Sequence, residues 1–284
     1  MPARNRRPQR KMKIGVFDSG LGGLLILREL ARKLPEYDYV YLGDTQRVPY
    51  GNRSSAIVAQ FLEEAVDFLF KRDSALIIVA CNTASSEALR YIQQKYLPRH
   101  YPDRRVLGVI IPSVEVALPS AKNGGPALSR LGVLATAGTV RSGTYVAEAQ
   151  KLSPRVKVFQ NAAPLLVPLI ENDGIRWAEP ILRSYLAPLA KKKVQKIILG
   201  CTHYPALKHE IRKLSGVPVV SQDEILPAKL KDYLTRHPEI ESRLRRRSGR
   251  ELLVTDLTPA YENLARSWFG QGTRLRKVAL PPRA

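Results

Sequence analysis

Short runs of strand-forming residues recur along this chain with helix-spaced segments between them, and that alternation limits the fold more than any other feature. The runs are "MKIGVFDSG", "DYVYLGD", "SALIIVACN", "RVLGVIIP", "RLGVLATAG", "VKVFQNA", "QKIILGCTH" and "GVPVVSQD", each bounded by Gly, Asp, Asn or Cys. Between them, "GLLILRELARKL" and "SSAIVAQFLEEAVDFLFKR" return an apolar residue every three or four positions, the period of a helix with one buried stripe. Strands that alternate with helices in this way form βαβ units and parallel sheets, and near-continuous Ile, Val and Leu marks strands covered on both faces. The expected class is α/β. An internal echo adds a division: "KIGVFDSG" resembles "RLGVLATAG", and "LIIVACNT" resembles "KIILGCTH". Gly15 and Cys81 are 66 residues apart, Gly132 and Cys201 are 69. Two similar lobes, with mainly parallel sheets flanked by helices, account for both the likeness and the spacing.

With 284 residues and 44% hydrophobic content the chain can bury a substantial core. No apolar run approaches the roughly 18 residues of a membrane helix. The opening "MPARNRRPQRKMK" lacks an apolar h-region and a small-residue cleavage site, so residues 1–12 read as a basic, disordered tail and not as a secretory signal. Two widely separated cysteines make no disulfide framework, which points to a cytoplasmic chain with free thiols. The net charge of +21 is concentrated in the tail, in "KKKVQK" from Lys191, in "RLRRRSGR" from Arg243 and in "RLRK" near the C-terminus. A solvated basic surface that attracts polyanions weakly and without specificity explains it; a dedicated nucleic-acid site is the sharper alternative. Little aromatic interleaving and no nucleic-acid motif favour the first.

Both cysteines fall directly after a strand, where a helix should begin. In open α/β sheets the carboxyl edge is where ligands bind. Amide donors and a helix N-terminus there are expected to favour the thiolate. One such cysteine could be a small core residue. Two in equivalent places, each followed by hydroxyl or amide residues, point to catalysis. If the lobes face each other across a cleft, one sulfur can take a proton from a carbon and the other can return one to its opposite face, which inverts a stereocentre.

The motifs "IGVFDSGLGGL", "YLGDTQRVPYGNR", "IIVACNTASS", "GVLATAGTVRSGTY", "VPLIEN" and "ILGCTHYPAL", in that order, resemble those of the glutamate racemases. A weaker likeness continues through "LLVTDLTPAYENLARSWFG", so the resemblance covers nearly all the chain after the first dozen residues. It implies cofactor-independent racemisation of glutamate, with D-glutamate supplied to peptidoglycan. It further implies a site in the cleft between two lobes, no metal, and a homodimer. By this resemblance Cys81 is the base for D-glutamate and Cys201 the base for L-glutamate, with Asp18 and His203 assisting the neighbouring thiols. Ser19, Tyr50, Gly51, Asn82, Thr83, Thr136, Thr139 and Thr202 match substrate-contacting positions, and Asp44 and Glu171 match carboxylates kept around the site. The first lobe is expected to span residues 13–103 with 227–284, and the second 104–226.

Plainer readings stand beside these. Asp18 with Ser19 could cap the helix that begins near Gly22, Asp44 could be a turn residue, and Glu171 a surface acid near a helix end. "DSGLGG" is not a nucleotide-binding glycine pattern, and Cys201 with His203 lacks a second ligand pair for zinc. His100, His209 and His237 sit among charges and are expected to face solvent. Gln46 and Ile111 depart from the family pattern, where Ala and an acidic residue are frequent. A racemase for another amino acid or a hydantoin, or a polyanion-binding regulator on the same fold, is the alternative.

Overall fold

The computed structural model describes residues 11–118 and 128–281. Ten strands are present among them: β1 (Lys13–Asp18), β2 (Tyr39–Gly43), β3 (Ser74–Val79), β4 (Arg105–Gly108), β5 (Arg130–Ala135), β6 (Lys157–Ala162), β7 (Lys196–Gly200), β8 (Val219–Val220), β9 (Arg250–Val254) and β10 (Arg276–Lys277). They form two sheets, ordered β10-β9-β2-β1-β3-β4 and β6-β5-β7-β8, and every pairing is parallel. The eight runs read from the sequence are β1 to β8.

The echo between the halves has a topological counterpart. β2-β1-β3-β4 in the first sheet matches β6-β5-β7-β8 in the second, so "KIGVFD" and "RLGVLA" occupy equivalent strands, as do "SALIIV" and "KIILG". Helices cover both faces of the first sheet. Along β3, Leu76 and Ile78 enter one apolar core while Ile77 and Val79 enter another, all nearly inaccessible. This two-sided burial is why the strand reads as unbroken aliphatic sequence. The helix Gly23–Lys33 buries Leu24, Leu25, Ile26, Leu27 and Leu30, and Ser54 caps the helix Ser55–Lys71 by accepting from the Ile57 amide at 3.4 Å. The first core runs on without a break from Ile14 and Val16 into Leu134, Leu199 and Tyr204 of the second half. The helix Gln222–Arg236 packs on Gly23–Lys33 and links the halves. No helix among the described residues is long and apolar enough to cross a membrane.

Two expected boundaries shift. Arg105–Gly108, expected in the second lobe, is β4 and pairs with β3 in the first sheet. The crossover after β3 carries the chain back to that sheet's edge before it leaves. The expected break at residue 227 falls inside the helix Gln222–Arg236. At the other end, Met12 is not tail: it is buried, bridges Leu244, and exchanges backbone hydrogen bonds with Arg243 and Arg245. Residues 1–10 of the expected tail lie outside the described residues. β9 and β10 extend the first sheet beside β2.

Candidate active site

The carboxyl ends of both sheets converge on one cavity of ≈ 270 Å³. In each half the strand order reverses between the first and third strands, the point at which open α/β sheets leave a crevice for ligands. Ser19 follows β1, Cys81 follows β3, Thr136 follows β5 and Cys201 follows β7, and all four line the cavity. Its volume is just under the roughly 300 Å³ where pockets for drug-sized ligands begin, which suits a compact metabolite. Tyr50, Gly51, Asn82, Thr83, Glu171, Thr202 and His203 add to the polar lining, while Val48, Pro49, Ala163, Pro164, Val167 and Pro168 form an apolar wall. A larger cavity of ≈ 470 Å³ lies elsewhere, with Ile111 in its wall and neither cysteine.

The two sulfurs have different neighbours. Cys81 caps the helix Asn82–Glu87, its Sγ accepting from the Ala84 amide at 3.4 Å and lying 3.3 Å from Ser19 Oγ. Burial pushes the Cys81 thiol up to about 12, and the charge of Asp18 adds to it, against the Ser19 hydroxyl and the Ala84 amide. The expectation that a helix N-terminus would make this sulfur a thiolate is therefore corrected: desolvation outweighs one amide from a six-residue helix. Cys201 Sγ lies 3.8 Å from His203 Nδ1, and His203 Nε2 lies 2.8 Å from Glu171 Oε1. Burial disfavours a charged imidazole, but the contacts with Cys201 and Glu171 outweigh it and raise His203 to about 10. Glu171 ends the helix Leu166–Glu171, so the helix end read from sequence is also the group that orients the ring.

Asp18 combines its two readings. Its Oδ2 accepts from the amides of Gly23 at 3.0 Å and Gly20 at 3.3 Å, which tethers the start of the first helix, and Thr202 Oγ1 donates to its carboxylate at 3.2 Å. Burial raises the Asp18 carboxyl, opposed by His203, the two amides and Thr202. No hydrogen bond joins it to either sulfur; its influence on Cys81 is electrostatic. The lobes also approach closely here. A methyl group on Gly22 would sit 2.5 Å from both His203 Nδ1 and Thr202 Oγ1.

Asp44 and Thr139 do not line the cavity. Asp44 lies behind it, accepting from Tyr50 OH at 2.5 Å, Arg47 Nε at 2.6 Å and Thr255 Oγ1 at 2.9 Å, so it fixes the Tyr50 wall. Thr139 is fully buried in a hydroxyl cluster with Thr136 at 3.0 Å and Thr83 at 3.4 Å; the Thr83–Thr136 contact, 2.9 Å, crosses from one half to the other. Gln46 is exposed and touches Thr255 through its backbone amide, at 2.9 Å. His100 and His209 are exposed, and His237 is half-buried beside Glu239.

One group was not read from sequence. Asn82, next to Cys81, exchanges amide hydrogen bonds with Gln222, Nδ2 to Oε1 at 2.9 Å and Gln222 Nε2 to Asn82 Oδ1 at 2.7 Å. Tyr145 OH donates to the same Oδ1 at 2.7 Å and accepts from Gln222 Nε2 at 3.1 Å. Tyr145 and Gln222 belong to the second half and to the linking helix, and all three side chains are almost fully buried. The triad fixes the start of the Cys81 helix against the other half.

A family profile described as Asp/Glu/hydantoin racemase matches residues 25–226. The glutamate racemase of Persephonella marina is 36% identical over 272 residues, covering 95% of this chain and 98% of its own. That of Aquifex aeolicus is 38% identical over 263 residues, covering 92% and 95%. The crystal structure of the Francisella tularensis glutamate racemase in complex with D-glutamate resembles this chain with a TM-score of 0.83 at 30% identity, covering 95% and 98%.

Proposed function

This chain belongs to the Asp/Glu/hydantoin racemase family, and on that premise we propose that it interconverts L- and D-glutamate through two thiols and no cofactor. The observation that carries the reading is the pair of sulfurs, one from each of two equivalent strands in facing halves, lining a single cavity. The likeness to a glutamate racemase holding D-glutamate supports the choice of substrate. In this reading the product serves peptidoglycan synthesis in the cytoplasm.

From L-glutamate, the Cys201 sulfur takes the α-proton and Cys81 delivers its own to the opposite face. The burial that keeps Cys81 protonated suits it to that donation. His203, protonated and held by Glu171, faces Cys201 and offsets negative charge on that side of the cavity. From D-glutamate the roles reverse. An α-proton beside a carboxylate is weakly acidic, so the barrier must be lowered by positioning, by a dry cavity, and by donors aimed at the charge that develops. The hydroxyls of Ser19, Thr83 and Thr136 and the amides beside them supply such donors, while Pro164, Val167 and Pro168 exclude water.

The test is incubation of the purified protein with either enantiomer in heavy water, following optical activity by circular dichroism and Cα deuterium by proton NMR. Aspartate and a hydantoin serve as rival substrates. Loss of optical activity with deuterium entering at Cα of glutamate is expected, and it should cease in Cys81→Ser and in Cys201→Ser. Full turnover by either variant would sink the two-thiol scheme, and preference for aspartate or hydantoin would overturn the choice of substrate.

A further inference from the structure

The basic residues separate into two kinds. The most conspicuous run in the sequence, from Arg243 to Arg250, is partly neutralised: Arg243 pairs with Asp103 at 2.7 Å, Arg245 with Asp38 at 2.5 Å, and Arg246 with Glu241. Arg250 donates to the carbonyls of Pro35 and Tyr37. Lys13, Arg72 and Arg276 share Glu251. The amino edge of the first sheet thus carries carboxylates among its cations, although one Glu251 serves three of them and Arg247 and Arg250 pair with no carboxylate among the described residues.

The amino edge of the second sheet is not matched. Arg130 opens β5 and Lys157 opens β6 directly opposite it in register; Lys196 opens β7. Arg155 lies two residues before Lys157. The helix Ala178–Lys191 ends at the same edge, where Arg130 Nη1 donates to the Lys192 carbonyl at 2.9 Å and brings Lys191, Lys192 and Lys193 alongside. Arg130, Arg155, Lys157, Lys191, Lys192 and Lys193 are all exposed, and none forms an ion pair with a carboxylate among the described residues. Six like charges held together without counter-ions repel one another, so the edge gains when a polyanion covers it.

We infer that this edge of the second sheet is a docking face for the sugar-phosphate backbone of duplex nucleic acid, read without regard to sequence. The charges spread over two neighbouring strands and a helix end, which fits a repeating row of phosphates better than a single small anion. No exposed aromatic stands among them; Phe159, half-buried, lies under Lys192 at 5.8 Å. A single-stranded partner would need rings for its bases to stack on, and a protein partner would need an apolar centre to the contact. The face lies at the opposite ends of the strands from Thr136 and Cys201, about 17–20 Å away for strands of this length. A bound duplex therefore leaves the cavity open.

The experiment is fluorescence anisotropy of the full chain with two unrelated DNA duplexes of about 20 base pairs over a series of salt concentrations. Both should bind alike, with log K falling against log salt at a slope of about −0.9 for each phosphate neutralised, or about −5 for six contacts. The triple variant Lys191→Glu/Lys192→Glu/Lys193→Glu should lose at least tenfold in affinity at low salt and roughly half the slope, with racemase turnover and the circular dichroism spectrum unchanged. Should that variant fold poorly, Arg155→Glu/Lys157→Glu takes its place with the same readout. Deletion of residues 1–10 separates any contribution of the basic tail. Unchanged affinity and slope in the lysine variant would overturn the inference. So would anionic phospholipid vesicles or polyglutamate that bind through these lysines as tightly as the duplex. Because binding and turnover are read separately, failure here leaves the racemase reading untouched.

Discussion

Replacing Gln222 with leucine tests whether the buried triad positions Cys81. The side chain is fully buried and makes three hydrogen bonds, two to Asn82 and one to Tyr145. Leucine fills similar space but leaves Asn82 Nδ2 without its partner, while Asn82 Oδ1 keeps the Tyr145 hydroxyl at 2.7 Å. An unsatisfied buried amide costs about 1–3 kcal/mol. Asn82 is the first residue of the helix that Cys81 caps, so relief of that cost by rotation or water entry displaces the sulfur. If most of it reappears in the transition state, turnover falls by about 10- to 100-fold, at roughly 1.4 kcal/mol per decade. Slower turnover alone would not separate positioning from general loosening. Cα-deuterated glutamate does. With Cys81 as the base for the D-enantiomer, the variant should show a larger substrate isotope effect from D-glutamate, where abstraction by Cys81 becomes limiting. From L-glutamate the effect should shrink, because reprotonation by Cys81 limits instead. Tyr145→Phe should shift both in the same sense but less, since Gln222 still holds both ends of the Asn82 amide. Equal slowing from both enantiomers with unchanged isotope effects would rule out a positioning role and leave Gln222 a stabilising residue only.

Gly22→Ala should cut turnover by about 100-fold or more, since the added methyl meets His203 and Thr202 at 2.5 Å and holds the halves apart; wild-type kinetics in that variant would contradict the close approach. His203 has a folded-state pKa raised from 6.5 to about 10, so its contribution to stability is full below pH 6.5 and disappears as pH rises through about 10. Urea unfolding should accordingly show a steeper decline over that window for the wild type than for His203→Gln, and parallel curves would count against the Cys201–His203–Glu171 arrangement. In the free protein at pH 8 the Cys81 thiol should react slowly with iodoacetamide, as burial keeps it protonated, and faster labelling should appear only at much higher pH. Mass spectrometry of the Cys81 peptide reads this directly; rapid labelling at pH 8 would show that sulfur already ionised.

Most of the scaffold was legible because the strands that build it are buried on both faces, and such strands announce themselves as aliphatic runs ending in Asp, Cys or Thr. β9 and β10 were not read as strands: β10 is only two residues long, and they gain their identity from pairing, β9 with β2 and β10 with β9. The boundary near residue 103 failed for a related reason, since which sheet receives Arg105–Gly108 depends on a crossover and not on its own residues. Within the site, adjacency to a motif predicted presence but not direction. Asp44 and Thr139 belong to the motifs, yet they stand behind the cavity wall, hydrogen-bonded to Tyr50 and to Thr136, which line it. The Cys81 thiol shows the limit of local reasoning most plainly, because its helix N-terminus was visible in sequence and its desolvation was not. Tyr145 ends a quoted motif and Gln222 falls within a quoted strand run, but their pairing with Asn82 was not legible, since Asn82 is 63 and 140 residues distant along the chain.

The repeated strand order has a further implication. A half with one sulfur could enclose a carbon only by pairing with a copy of itself about a twofold axis, and any change beside one sulfur would then appear beside both. Joined in one polypeptide, the copies are free to diverge. Ser19 beside one thiol and an imidazole held by a carboxylate beside the other are differences that no symmetric pair of identical halves could carry.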